Sequence, residues 1–145
     1  MPNNYVEYHI VRGGVKTYKI ASGVQLQARD IVVLSGDETV TISDGTKPPV
    51  GVVLGGTVSA SYNNAGDYPL LDGSKGHVAS VVLKSTSSVI WQKAGETVNA
   101  GDFVKAGTDG KSVVKWVDGT DPESLKLGIA ETSGATGTDI RVLLV

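Results

Sequence analysis

A segment near the start of the chain recurs 72 residues later. Gly23-Val24-Gln25-Leu26-Gln27-Ala28-Arg29-Asp30-Ile31-Val32 is matched by Gly95-Glu96-Thr97-Val98-Asn99-Ala100-Gly101-Asp102-Phe103-Val104. Each copy is followed by Asp-Gly-Thr, at 44–46 and at 118–120. Each then reaches an apolar-Gly-apolar run, Val50-Gly51-Val52 and Leu127-Gly128-Ile129. The shared positions are turn glycines, small residues and apolar strand positions. The repeat therefore predicts a scaffold of two similar halves whose function is carried by surfaces.

Nineteen glycines and an abundance of Val, Thr and Ser accompany the repeat. Val and Thr are stiff at χ1 and suit a pleated surface, while glycine supplies the positive φ of tight turns. No amphipathic helical segment of ordinary length appears. Short apolar runs alternate with turn signals: Val15–Ile20, Asp30–Leu34, Thr39–Ile42, Val50–Leu54, His77–Leu83, Val89–Gln92, Phe103–Ala106, Lys111–Val117, Leu127–Ala130 and Asp139–Val145. Such spacing means a sandwich or a small barrel. The expected fold is all-β: a small β-barrel or β-tulip-like domain with an internal pseudo-twofold repeat and an extended N-terminal arm. The expected boundaries are an arm over 1–14 and one domain over 15–145. Within that domain the halves run at about 15–61 and 77–145, separated by an irregular loop at 62–76 rich in Asn, Gly, Asp and Pro.

Composition removes several classes of function. There is no cysteine, which excludes disulfides, thiolate metal sites and cysteine catalysis. The net charge is −2 with no basic run, so no nucleic-acid partner is expected. The apolar runs are too short to span a bilayer as a helix, and Met1–Tyr5 has neither the basic start nor the apolar stretch of a signal peptide. No membrane partner is expected.

Candidate chemistry is sparse. His9 and His77 stand without a ligand constellation, and no metal or cofactor is expected. No Gly-x-Ser-x-Gly elbow occurs. Gly73-Ser74-Lys75-Gly76 lacks the spacing of a phosphate loop and the helix that would follow one. The acids of Asp118–Glu123 suit a calcium loop, but Asp44-Gly45-Thr46 occupies the matching place without them, which favours a turn. Gly23, Asp30, Gly95 and Asp102 are expected to be structural turn residues, each Asp holding backbone N–H groups as the chain enters a strand. The competing reading makes Asp30 and Asp102 an acid pair of an enzyme. The 95–102 pattern also occurs in biotinyl and lipoyl carriers, but the modifiable lysine motif is missing. Trp91 and Trp116 are expected to anchor the core or an oligomer interface.

The runs Gly76–Leu83, Val89–Gly95 and Val98–Val104 together resemble the capsid decoration (cement) proteins of tailed bacteriophages. Leu127-Gly128-Ile129-Ala130-Glu131 and Asp139-Ile140-Arg141-Val142-Leu143 fit the same order. The likeness covers roughly residues 15–145, and this chain departs from the smaller members in its arm and its 62–76 insertion. The resemblance implies a non-enzymatic virion structural protein, made in the host cytoplasm and placed on the capsid exterior. Its partners would be the major capsid protein and itself, as a homotrimer bridging capsid subunits. In that setting Tyr5, Val6, Tyr8 and Ile10 would form a capsid-binding arm that adds a strand to a capsid sheet; the alternative is an ordinary first strand. The competing function is a small-ligand or carbohydrate-binding β-module of a fibre or surface assembly.

Overall fold

Ten of the strands sort into two rings with one and the same strand order, as a duplicated sequence demands. The structure is a computed structural model that describes residues 7–56 and 70–145, with side chains from residue 10 onward in the first segment. The first ring is a closed barrel of β2 (Val15–Ile20), β5 (Thr39–Ile42), β4 (Ile31–Gly36), β6 (Gly51–Gly56) and β8 (Val78–Leu83), in that order. All its pairings are antiparallel except β2 with β5, which is parallel.

The second ring contains β9 (Val89–Lys93), β13 (Asp139–Leu144), β12 (Gly128–Ala130), β10 (Phe103–Ala106) and β11 (Val113–Lys115). It closes through a parallel bridge between Ala94 and Val113, the counterpart of the parallel β2–β5 contact. Outside the rings, β3 (Gln25–Leu26) pairs with β7 (Leu71–Asp72), and β1 (Glu7–His9) is an edge strand on β9. No α-helix occurs among the described residues, only 3-10 turns at Gly73–Lys75 and Glu123–Leu125.

Hydrogen bonds repeat along with the strands. Arg29 N–H donates to Val53 O and Gly101 N–H to Ala130 O; Val53 N–H donates to Asp30 O and Ala130 N–H to Asp102 O. The apolar-Gly-apolar run has a packing cause. A Cβ on Gly51 would run into the Val82 carbonyl oxygen, and a Cβ on Gly128 into the Leu143 carbonyl oxygen. Each barrel thus needs a residue without a side chain where its strands approach most closely.

Alternation along the strands decides which residues fill the barrels. Tyr18, Ile20, Leu26, Val32, Val40, Val53, Leu71, Ala79 and Val81 form the interior of the first barrel. Ile90, Val104, Val113, Ile140, Val142 and Leu144 belong to the second cluster, which also takes in Ile31, Val52 and Val82 from the first barrel. The near-continuous apolar run Asp30–Leu34 is buried on both faces through Val33, because the second barrel covers Ile31; Leu34 is 51 % exposed.

Three boundaries differ from the sequence expectation. Residues 78–83 close the first barrel rather than opening the second half, so the halves divide between β8 and β9. Leu71–Asp72, inside the expected loop, is a strand whose Leu71 is buried; residues 57–69, and with them most of that loop, lie outside the described residues. The expected free arm is, over Glu7–His9, a strand of the protein's own sheet, and Ile10 packs against the second cluster. The backbone of that segment is hydrogen-bonded to β9 along one edge. Tyr5 and Val6 lie outside the described residues, and Tyr8 is described only in its backbone.

Gly51→Ala and Gly128→Ala should each lower stability by ~2 kcal/mol or more in urea unfolding, since backbone must move to admit the methyl group. Gly55→Ala, where a Cβ meets nothing within 4 Å, should change it by less than ~1 kcal/mol. Deleting residues 1–14 removes β1 and Ile10, so the shortened chain should unfold earlier by ~1–3 kcal/mol.

Candidate functional site

The repeated turn is built the same way in both copies. Gln27 N–H donates to Asp30 Oδ2 at 2.8 Å and Asn99 N–H to Asp102 Oδ2 at 2.9 Å. Asp30 N–H and Asp102 N–H return bonds to Gln27 O and Asn99 O. The residue before each Asp is left-handed, Arg29 at φ 79° and Gly101 at φ 94°. Gly23 is also left-handed, whereas Gly95 is small because a Cβ would meet Ser112 Oγ at 2.7 Å. Each carboxylate is thus engaged by its own turn, which is not the arrangement of a shared acid pair.

Arg29 breaks the pattern, since a side chain at positive φ costs of order 1 kcal/mol where the second copy has glycine. Its guanidinium reaches across to Asp139 of the second barrel, Nη2 to Oδ1 at 2.6 Å, with the Arg29 side chain only 8 % exposed. Its carbonyl accepts a 2.7 Å bond from Nε2 of the fully buried Gln92. Next to it, Lys111 Nζ of the second barrel pairs with Asp30 Oδ1 at 2.9 Å, and Ile31 N–H donates to Gly110 O. A cavity of 190 Å³ lies between these groups, lined by Gln27, Ala28, Arg29, Asp30, Lys93 and Lys111. Burial pushes the Asp30 carboxyl above the usual aspartate range, against the opposing pull of the Gln27 N–H and of Lys111.

The outer faces of the two barrels differ although their strands correspond. On the first, Ile31, Val52 and Val82 stand directly opposite one another across β4, β6 and β8, and all three are fully buried by the second barrel. Their counterparts across β10, β12 and β13 are Phe103, Ile129 and Leu143. Phe103 is 37 % exposed, and the other two are half-buried. Trp116 meets Phe103 edge to face at 6.0 Å, and Lys126 Nζ stands 3.9 Å from the Phe103 centroid and 4.1 Å from the Trp116 centroid. The Trp116 indole donates to Pro122 O. Trp91 is half-buried opposite Arg141.

The remaining candidates are tied to local structure. His77 Nδ1 accepts from Asp72 N–H, and Asp72 Oδ1 accepts from Ser74 N–H, so Gly73–Gly76 is a capped 3-10 turn. In the Asp118–Glu123 loop, Asp121 accepts from Val117 N–H and pairs with Lys105 at 2.7 Å, while Glu123 pairs with Lys126 at 2.8 Å. Among the described residues no group of three His, Asp or Glu side chains is placed to hold a metal ion.

Sequence reasoning missed Arg29, Gln92, Lys111 and Asp139 as a group. One signal was present: an arginine aligned with a glycine of the repeat.

No protein-family model matches the chain, and no curated protein matches it. Among solved structures it is similar to the crystal structure of the head fiber gp8.5 N base of bacteriophage phi29. The TM-score is 0.57 at 18 % identity, over 90 % of this chain and 92 % of that one. The likeness shows a shared fold that takes in nearly the whole of both chains.

Ionised Asp30 opposes folding, because its carboxyl binds its proton more tightly in the folded than in the unfolded chain. Its contribution is therefore favourable at low pH and is lost as pH rises through the elevated value. Asp30→Asn should gain stability relative to wild type as pH is raised from the ordinary aspartate range through the elevated value, and the difference should level off above it. Chemical denaturation at a series of pH values reads this directly. Asp121, which Lys105 and the Val117 N–H hold below the usual range, acts in the opposite sense at more acid pH.

Proposed function

We propose that the chain is a non-enzymatic virion structural protein that sits on the outside of a phage capsid and stabilises the shell. The observation that carries this reading is the extent of the fold likeness. Both barrels, not one module, are taken in by the match to a protein described as the base of a phage head fiber. The order of features that resembles capsid decoration proteins points the same way independently. Candidate catalytic groups add no competing reading, since Asp30, Asp102, His77 and Asp121 all engage neighbouring groups of their own chain.

On this reading the partners are the major capsid protein and further copies of this chain, acting as a homotrimer. Each protomer contributes a modest contact, and several contacts made together give the assembly its hold on the shell. Among the described strands Glu7–His9 pairs with β9 along one edge only, so on this reading a capsid strand would join its other edge.

Mixing purified protein with phage capsids and sedimenting the mixture tests the proposal. The expected result is saturable pelleting at a fixed ratio to capsid subunits, with decorated shells surviving heating or chaotrope better than bare ones. Absence of saturable binding to any capsid, together with quenching of Trp91 or Trp116 fluorescence by a sugar, would favour the carbohydrate-binding module instead.

A further inference from the structure

The contact between the two barrels is one-directional. The first barrel offers its outer row Ile31, Val52 and Val82, and the loop after β5. The second barrel offers its β10–β11 hairpin, with Ala106, Gly107 and Gly110 against that loop. Gly110 is pressed so closely on Ile42 and Ser43 that a Cβ there would lie 2.5 Å from Ile42 Cγ1.

Because the strands of the barrels correspond, each surface used in this contact has a counterpart that the contact leaves over. The counterpart of the covered row is Phe103, Ile129 and Leu143 on the second barrel. Trp116, whose N–H donates to Phe103 O, stands where Ser43 donates to Ile31 O. Ser43 is 2 % exposed and Ile31 fully buried, whereas Phe103 is 37 % exposed and the neighbouring Val117 49 %.

The counterpart of the hairpin is the β4–β5 hairpin of the first barrel. Leu34 there, in the place of the buried Ala106, is 51 % exposed. Beside it lies an apolar groove of 370 Å³ lined by Leu34, Lys47, Pro48, Pro49 and Val50. Three of the four large apolar side chains most exposed among the described residues thus fall on the two left-over counterparts. Exposed apolar area concentrated in this way marks an interaction surface.

We propose that these two surfaces fit each other between molecules: the Phe103–Ile129–Leu143 face of one copy receives the β4–β5 hairpin of a second copy. The contact repeats between chains what the barrels already do within one. It is head-to-tail, so copies add in one direction and give a discrete assembly where the rotation closes a ring. The pins of the internal junction are not repeated. Gly101 stands in place of Arg29, so no guanidinium crosses the new contact. Lys126 stands over Phe103 and Trp116 at the rim of this face, and without the internal pins the contact is reversible. It is independent of whether the protein binds a capsid.

Sedimentation velocity and light scattering on the full chain test the proposal, with Phe103→Asp and Leu34→Asp as the variants. Wild type should show a discrete species above the 15.0 kDa monomer that grows in with concentration. Each variant alone should be monomeric with an unchanged far-UV circular dichroism spectrum. Mixed together, the two variants should form a dimer and nothing larger. Each retains one intact surface, and only one productive contact is left. Val117→Asp serves in place of Phe103→Asp if the latter alters the spectrum. A wild type that stays monomeric overturns the proposal, as do variants that associate like wild type or a mixture that forms no dimer.

Discussion

Burial of one row of side chains makes a single body of two barrels. Ile31, Val52 and Val82 point away from the interior of their own barrel and would face water if that barrel stood alone. Covered by the second barrel, they join its buried cluster and become fully inaccessible. At roughly 25 cal/mol per Å² of apolar surface, three such side chains outweigh any single ion pair at the junction. The polar groups around them then specify how the barrels are set against each other: Arg29 on Asp139, Lys111 on Asp30 and Gln92 on the Arg29 carbonyl.

That division of labour accounts for the strain at Arg29. A glycine would adopt the left-handed backbone without penalty, as Gly101 does in the second copy. The arginine is tolerated because its buried guanidinium has a carboxylate partner across the junction and its carbonyl has a buried donor. Asp30 is the opposite case. Its carboxylate completes the turn and meets Lys111, but burial raises its proton affinity, so the junction carries a charge that folding tolerates rather than favours.

Much of the architecture was legible because strand grammar is local. Turn glycines, the Asp that closes each turn and the alternation of Ile140, Val142 and Leu144 follow from dihedral preference and period-2 burial, and the duplicated Gly-rich turn announced two similar halves. Less legible was where one half ends. Residues 78–83 look like any other strand, and only hydrogen bonding to β2 and β6 assigns them to the first barrel. The same holds near the N-terminus: Tyr5–Val11, an apolar and aromatic segment after which glycines allow a sharp change of direction, reads equally as an arm or an edge strand, and the pairing of Glu7–His9 with β9 is a contact across some eighty residues of chain.

By itself the amino-acid sequence determined the all-β class, the internal duplication and the chemistry of the turns, since these rest on preferences of residues close together in the chain. Tertiary structure alone decided which outer face is covered and which is left open. Ile31 and Phe103 occupy equivalent strand positions and are both large and apolar, so no local preference tells them apart. One lies under the second barrel and the other does not, because a contact between two similar barrels that runs in one direction leaves one copy of each surface unmet.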